Sequence, residues 1–302
     1  MKNIFFYTKI SKTTCFSVVA IMFFLFSACS KGYPVEHEQW SVEFLKRPPS
    51  EPLRINGQSN IKISNLSFSD INGVAIVIQN CQNVEITEND FSNVVGGINV
   101  VNSKNVRITW NRFSNIGDGT IGSGHSNYIQ FNNTFGGYIA YNKGKGGKTE
   151  DMISIYMSGG TSESNPLIIE YNHFEGENWV SGSGSGVMLG DCGGVHTVAR
   201  YNKLLSPGQV GIGIASGVDI SVIGNTVYSH QIPKANVGIY VWNQSDTPLE
   251  KIEISRNNVR WYHENGYENP FWNGEDSNLN PKGLETNNWQ ADIDPEKLRV
   301  DL

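Results

Sequence analysis

Hydrophobic and polar residues along most of the chain follow one short phrase that returns at nearly regular intervals. The phrase reads apolar-x-apolar-x-x-Asn-x-apolar, and residues 106–113, VRITWNRF, give a clear copy of it. Its asparagines are spaced 22, 31, 30, 30, 23 and 32 residues apart. They are Asn89, Asn111, Asn142, Asn172, Asn202, Asn225 and Asn257. A repeat of this length is typical of a solenoid in which each repeat forms one coil.

The alternation within each phrase predicts a β-strand whose apolar side chains face inward. The Asn tolerates the left-handed conformation that a sharp bend requires, so we expect stacked coils to align these side chains in a hydrogen-bonded ladder. A second set of apolar strands follows the variable loop of each repeat, as in residues 128–133 and 152–158. A short third strand begins at the apolar residue after each Asn. The pattern therefore predicts an all-β solenoid with three strands per coil.

This arrangement resembles the right-handed parallel β-helix of the pectin-lyase-like superfamily, and the resemblance covers about residues 56–262. It implies a right-handed solenoid and, in many members, an activity on polysaccharides. One solenoid hosts many activities, so the resemblance by itself does not assign a function.

The N-terminus has the features of an export signal. Residues 1–28 carry three lysines and then an uncharged apolar run that is too short to span a bilayer as a helix. The run ends in FSAC, which resembles a bacterial lipobox and makes Cys29 the expected site of lipidation. An ordinary secretory signal that is cut nearby is the alternative. The expected location is a membrane-anchored exported lipoprotein, or otherwise a secreted or periplasmic protein.

The segments that flank the repeats are expected to close the solenoid. Residues 29–55 form a tether and an N-terminal cap, because residues 35–46 have apolar positions at helical spacing and three prolines follow them. A capping helix there would cover the open strand edge of the first coil. Residues 263–302 are expected to be a C-terminal extension that packs on the solenoid.

The net charge limits the kinds of partner to be expected, and the cysteine positions indicate whether a disulfide can form. The formal charge of the whole chain is −6, and removal of the three lysines in residues 1–28 makes it −9. A general nucleic-acid surface is therefore disfavoured, and membrane contact is expected through the lipid anchor only. Cys81 and Cys192 are expected about four coils apart, or roughly 19 Å at the usual strand spacing, which predicts two packed thiols rather than a disulfide. We expect a monomer.

The superfamily resemblance places the candidate site on the outward face of the second strand set, where long loops wall a groove. Alignment of these strands predicts a polar cluster on the coils around Tyr128 and Met152. One outward row contains Val101, Asn132, Tyr156, Gly190, Ala215 and Trp242; a neighbouring row contains Asn99, Gln130, Ser154, Met188, Gly213 and Tyr240; a third contains Asn127, Asp151, Ser185 and Val210. Asp191 ends its strand, where a turn-capping role and a functional role are both open.

Two loops bring titratable groups to this face. Residues 117–126 carry Asp118 and His125, and the glycine-rich residues 142–151 carry three lysines, Glu150 and Asp151. The lysines, Lys143, Lys145 and Lys148, predict a local basic spot for a sugar carboxylate or sulfate, or else a solvated turn. Glu150 and Asp151 are candidate ligands for Ca²⁺, because carboxylate oxygens are its preferred donors.

The leading hypothesis is an exported enzyme that cleaves an acidic polysaccharide by β-elimination. Lys148, Asp151, Tyr156 and His125 are the expected proton-transfer groups. Asn127, Gln130, Asn132, Glu150, Asp191 and Trp242 are expected to bind the sugar chain. The alternatives are a glycoside hydrolase in the same groove, a glycan-binding protein without catalysis, and an assembly or adhesion solenoid. The arginine of pectate lyases and the paired aspartates of polygalacturonases have no counterpart on this face.

Overall fold

The computed structural model describes residues 50–118, 126–176, 184–274 and 279–302. Its 24 strands stack in parallel from coil to coil, and each coil passes in turn through three sheets. The described residues also contain two 3-10 helices, Leu284–Thr286 and Pro295–Leu298. The predicted all-β solenoid is confirmed. The expected signal peptide, Cys29 and the capping helix over residues 35–46 lie outside the described residues.

Sheet 1 contains the strands of the Asn phrases: β2 (Ser59–Ser64), β5 (Gln82–Thr87), β8 (Lys104–Thr109), β11 (Phe135–Ala140), β14 (Leu167–Glu170), the second half of β16 (Ser185–Arg200), β19 (Gly217–Ile223) and β22 (Leu249–Ser255). Sheet 2 follows the asparagines: β3 (Ser67–Ser69), β6 (Asp90–Ser92), β9 (Arg112–Asp118), β12 (Lys143–Lys148), β15 (His173–Glu175), β17 (Lys203–Leu205), β20 (Thr226–Ser229) and β23 (Asn258–Trp261). Sheet 3 precedes the phrases: β1 (Leu53–Asn56), β4 (Val74–Gln79), β7 (Gly96–Val101), β10 (Ile129–Asn132), β13 (Ile153–Gly159), the first half of β16, β18 (Val210–Ile214), β21 (Val237–Val241) and β24 (Phe271–Asn273).

The core is a continuous column of aliphatic and aromatic side chains inside the coils. Inward residues of sheet 3 such as Ile129 and Ile153 are partners in the strand register and fully buried. Phe91 and Phe113 stack inside with ring centroids 4.9 Å apart, and Tyr128 continues the stack at 5.3 Å. Each such side chain contributes about 1.5–3 kcal/mol when it is fully buried. Strand stacking thus rests mainly on these inward positions.

The predicted asparagine ladder runs along the corner between sheets 1 and 2. At each step the next coil's side-chain oxygen accepts both the backbone N–H and the side-chain amide of the previous Asn, as Asn202 does for Asn172 at 3.1 and 2.9 Å. The same pattern joins all seven predicted asparagines. The left-handed residue is the one before each Asn, for example Trp110 with φ 59°. The bend therefore lies one residue earlier than predicted, because the ladder needs the Asn side chain inside.

Exposed and partly exposed aromatic rings follow the outside of this corner. Trp110, Tyr141, Tyr171 and Tyr201 all have left-handed backbones and stack in one column, with centroids 4.5 to 5.3 Å apart. Each non-glycine residue in that conformation costs roughly 1–2 kcal/mol, which the ring stacking offsets in part.

The repeats continue beyond the predicted boundary at residue 262. Strand β24 pairs with β21, and Asn287 accepts two hydrogen bonds from Asn257, at 2.9 and 2.8 Å, so a further, irregular coil is present. This coil was missed because its phrase lacks the regular alternation. Cys81 and Cys192 are not joined by a disulfide.

The last residues return to sheet 2. Arg299 pairs with the buried Glu175 at 2.6 Å, and the Val300 N–H donates to the same carboxylate at 2.8 Å. Lys145 also contacts Glu175, and Lys143 donates to the Asp301 carbonyl. Residues 143–148 were predicted to be a basic loop, but they form β12, since glycine at alternate positions lets Tyr128 pack against Gly144.

Candidate functional site

The outward face of sheet 3, called the groove below, is the candidate functional surface. The strand register aligns one predicted row as expected and extends it by one residue on β24, Trp272. Its members are Asn99, Gln130, Ser154, Met188, Gly213, Tyr240 and Trp272. Polar residues fill the first part of the row and apolar residues the second part.

A β-bulge in β16 changes the neighbouring row. Ser154 lies opposite Met188, but the register then shifts and Tyr156 lies opposite Asp191 instead of the expected Gly190. Gly190 has φ 64°, and a Cβ there would stand 1.9 Å from the Ser216 carbonyl oxygen. Only glycine fits the bulge, and the bulge aims Asp191 into the groove.

Asp191 is the titratable group whose position best suits proton transfer. Its side chain is partly exposed and lies next to Tyr156, which in turn lies next to Asn132 on β10. Burial raises the pKa of Asp191 to about 6, the negative charge of Glu150 adds to the rise, and the Cys192 N–H opposes it. A carboxyl group with a pKa near 6 can both donate and accept a proton close to neutral pH.

Asp151 lies deeper, in the turn before β13. It is buried, and its Oδ1 accepts the Ser185 N–H and the Ser185 hydroxyl, both at 2.7 Å. Its own N–H donates to Asn127 Oδ1 at 2.8 Å. This is the same coil-to-coil pattern as in the asparagine ladder, so Asp151 holds a turn. Burial, together with the charges of Glu150 and Asp191, raises the pKa of Asp151 to about 8, although the Ser185 hydrogen bonds oppose the rise.

The predicted polar sugar contacts are only partly available. The Asn127 amide donates to Gln130 Oε1 at 2.5 Å, and both side chains are buried. Asn132 and Glu150 are partly exposed. Asn132 and Tyr156 therefore present the accessible polar surface beside Asp191.

The predicted lysines lie on sheet 2 rather than beside Asp191. Lys148 is exposed on sheet 2, where its Cα partner is Asp118. Lys143 and Lys145 lie on β12 of sheet 2 and not in the groove: Lys143 donates to the Asp301 carbonyl, and Lys145 pairs with Glu175. His125 lies outside the described residues.

An apolar cluster fills the groove beyond Asp191. It contains Met188, Val210, Ala215, Val237 and Tyr240, with Trp242 packed against it. Tyr240 lies flat across Gly213, where a Cβ would stand 2.7 Å from the ring. Trp272, at 38% exposure, contacts the rings of Tyr240 and Trp242 edge-on, at 60° and 61°. Sequence reasoning missed Trp272 because it lies outside the regular repeats.

The calcium prediction does not fit these residues. Among the residues that the structure describes, no group of three or more His, Cys, Asp or Glu side chains converges as a metal site. The Asp151 Oδ1 atom is already occupied by two hydrogen bonds. No step of the chemistry is therefore assigned to Ca²⁺.

Two concavities lie away from the groove. One, of about 320 Å³, is lined on sheet 2 by residues that include Asp70, Asn93 and Asn115, and the other, of about 280 Å³, by residues of sheet 1 that include Asn83 and Arg107. The side chains of Asp70, Asn93 and Asn115 hydrogen-bond one another along the solenoid. Neither concavity is lined by Asp151, Tyr156 or Asp191, so the groove remains the better candidate.

Comparison with known proteins finds a family model and several solved structures that are similar to this chain. Among solved structures, DFA-IIIase from Arthrobacter chlorophenolicus A6 in complex with GF2 is 15% identical, with a TM-score of 0.42 over 74% of this chain and 49% of that chain. A double mutant of the periplasmic alginate epimerase AlgG is 14% identical, with a TM-score of 0.42 over 78% and 64%. The chain thus spans between about half and two thirds of these proteins. No curated protein matches it significantly. The family model for the right-handed β-helix region matches residues 51–227, more than half of the sequence, and the chain therefore belongs to the right-handed β-helix family.

Proposed function

We propose that this protein hydrolyses glycosidic bonds of a polysaccharide that lies in the groove of sheet 3. The observation that carries the proposal is the Asp191 carboxyl group, which is partly exposed beside Tyr156 and has a pKa raised to about 6 by burial and by Glu150. Most enzymes that hydrolyse glycosidic bonds use two carboxyl groups that lie in different environments.

In this mechanism Asp191 donates its proton to the glycosidic oxygen as the bond to the anomeric carbon breaks. Glu150 accepts a proton from the water that attacks that carbon, and both groups then return to their starting states by exchange with solvent. Tyr156 and Asn132 hold the sugar at Asp191. Asp151 does not contact the sugar, but its hydrogen bonds to Ser185 position the turn on which Glu150 lies.

The charge of the groove favours a neutral sugar at the cleavage point. The negative charge of Glu150 raises the pKa of both Asp151 and Asp191, and Asp191 also raises that of Asp151. A uronate carboxylate placed there would be repelled. The second candidate, β-elimination of a uronate polymer, is supported by Tyr156 alone, since a tyrosine hydroxyl next to a carboxylate is a proton-transfer group.

A panel of neutral and uronate polysaccharides tests both candidates. Hydrolysis releases reducing ends without ultraviolet absorbance, whereas β-elimination produces an unsaturated, absorbing sugar. We expect reducing ends from a neutral polymer, and a loss of at least ~100-fold in Asp191→Asn and Glu150→Gln. Absorbing product would favour elimination, and binding without turnover of any polymer would make the protein a glycan-binding one.

We further propose that the protein is exported, anchored by a lipid on Cys29, and monomeric. The supporting observation is the sequence of residues 1–29, which ends in FSAC. Among the described residues, no helix has the length and apolarity to cross a membrane. Cys29→Ser should move the protein from the membrane fraction to the soluble fraction, and an unchanged distribution would contradict the anchor.

A further inference from the structure

The groove continues past Asp191 toward the C-terminal end of the solenoid, where its character changes. The outward row there consists of Met188, Gly213, Tyr240 and Trp272, none of which carries a charge. Trp242 lies beside this row and packs against the apolar cluster. The surface is therefore an aromatic platform that shares one groove with a carboxyl centre.

Trp272 is the exposed member of this platform. It comes from β24, whose neighbours Phe271 and Asn273 are turned toward the solenoid or partly covered, while the indole is 38% exposed. Both ring neighbours of Trp272 meet it at about 60°, so neither lies parallel on its face. By contrast, the Tyr141 ring at the outer corner is stacked in parallel between the rings of Trp110 and Tyr171. Trp272 is thus a partly exposed aromatic ring whose described ring neighbours are not stacked in parallel on it, and such a ring can stack with a sugar ring.

We propose that Trp272, supported by Trp242 and Tyr240, is a binding subsite for a sugar ring of a linear neutral polysaccharide, distant from the point of cleavage. This inference rests on the proposed function, since it names the substrate class of the same groove. The polysaccharide would run along the solenoid axis, because both Asp191 and Trp272 face outward from sheet 3.

The strand spacing determines how long the substrate must be. Strand β16, which carries Asp191, is followed in the sheet by β18, β21 and β24, so Trp272 lies three strand spacings away. At ~4.8 Å per spacing this is roughly 14 Å along the axis. A single sugar bound at Asp191 cannot reach Trp272, but a chain of several sugars can. The subsite therefore predicts a preference for long over short substrates.

The test compares kcat/KM for a long oligosaccharide with kcat/KM for a short one of the same linkage. In the wild-type protein the ratio should favour the long substrate, and Trp272→Ala should reduce this ratio at least ~10-fold, the usual size of one lost aromatic stacking contact together with its buried area. Trp110→Asn is the matched control: it removes an exposed Trp from the outer corner and tolerates the left-handed backbone there, so the ratio should not change.

A binding measurement separates this inference from the proposed function. Asp191→Asn should hold a long oligosaccharide without cleaving it, and addition of Trp272→Ala should weaken that binding in calorimetry by the same factor. A protein that cleaves the polymer with an unchanged ratio in Trp272→Ala would overturn the subsite and leave the proposed function standing. A protein that cleaves no glycan, but whose binding depends on Trp272, would overturn the proposed hydrolysis and leave the subsite standing.

Discussion

Asp151→Asn is the substitution that best separates the turn role of this residue from a catalytic one. The wild-type Oδ1 atom accepts the N–H and the hydroxyl of Ser185, both at 2.7 Å, and an asparagine in the same position can accept both. The side chain is 6% exposed, so the variant replaces a buried ionisable group by a neutral one of nearly equal shape. We expect it to fold and to retain turnover within a few-fold of the wild type.

The effect on stability should depend on pH. The pKa of Asp151 in the folded protein is raised from 3.8 to about 8, so between these values the folded state holds a proton that the unfolded state releases. The contribution of Asp151 to the free energy of unfolding is fully present below about pH 4 and is lost as the pH rises through about 8. The loss amounts to up to about 1.4 kcal/mol per pH unit. Asparagine does not titrate. Relative to the wild type, the free energy of unfolding of the variant should therefore rise by several kcal/mol toward the alkaline end of this pH range.

Urea unfolding of both proteins across this pH window measures the difference directly. Asp151→Ala serves as the comparison, because it leaves the two Ser185 donors without an acceptor and should destabilise the fold by about 1–3 kcal/mol per unpaired group at every pH. Parallel stability curves for wild type and Asp151→Asn would refute the raised pKa. A loss of turnover of ~100-fold in a well-folded Asp151→Asn would return the residue to the catalytic centre.

Three further outcomes follow from the same contacts. Asn172→Ala should cost at least about 3 kcal/mol in chemical unfolding, because it removes a buried amide that makes four hydrogen bonds in the ladder; a cost below 1 kcal/mol would contradict the ladder's importance. Gly190→Ala should lower the melting temperature and displace Asp191, whereas Gly57→Ala, which is also left-handed but has open space around it, should show only the backbone strain. Burial raises the pKa of Glu175, but the Val300 N–H, Arg299 and Lys145 lower it by more, so the ion pair stabilises the C-terminal segment above pH 4.5, the ordinary pKa, and is lost as the pH falls below it. Hydrogen exchange at the Val300 N–H should therefore accelerate in acid and in Glu175→Gln. Unchanged exchange in both would exclude this ion pair as the contact that holds the C-terminal segment.

The repeats and their register could be predicted because they depend on local rules. Alternation fixed which side of each strand is buried, and the constant offset of Asn89, Asn111 and their equivalents placed them in one column. The coil that contains Asn287 escaped prediction, since its strand β24 is short and its phrase carries few apolar residues.

The groove was predicted in outline but not in detail. The bulge at Gly190 could not be deduced from spacing, because one extra residue in a strand is not visible in the alternation of inward and outward positions. It moved Asp191 opposite Tyr156 and made a residue at the end of a strand the central group. The lysines were misplaced for a related reason: a glycine-rich stretch suggests a loop, whereas in β12 the small residues leave room for Tyr128.

The asparagine ladder also has a direction. Each side-chain amide donates toward the next coil, so a ladder that ended on an ordinary asparagine would present an unsatisfied donor to any coil that arrived, including one from another molecule. Asn287 instead turns its amide onto the carbonyls of Ile254, Gly283 and Leu284, two of which belong to its own turn. Its amide donors are thus used inside the chain, so among the described residues the asparagine ladder ends without a side-chain donor directed at a further coil.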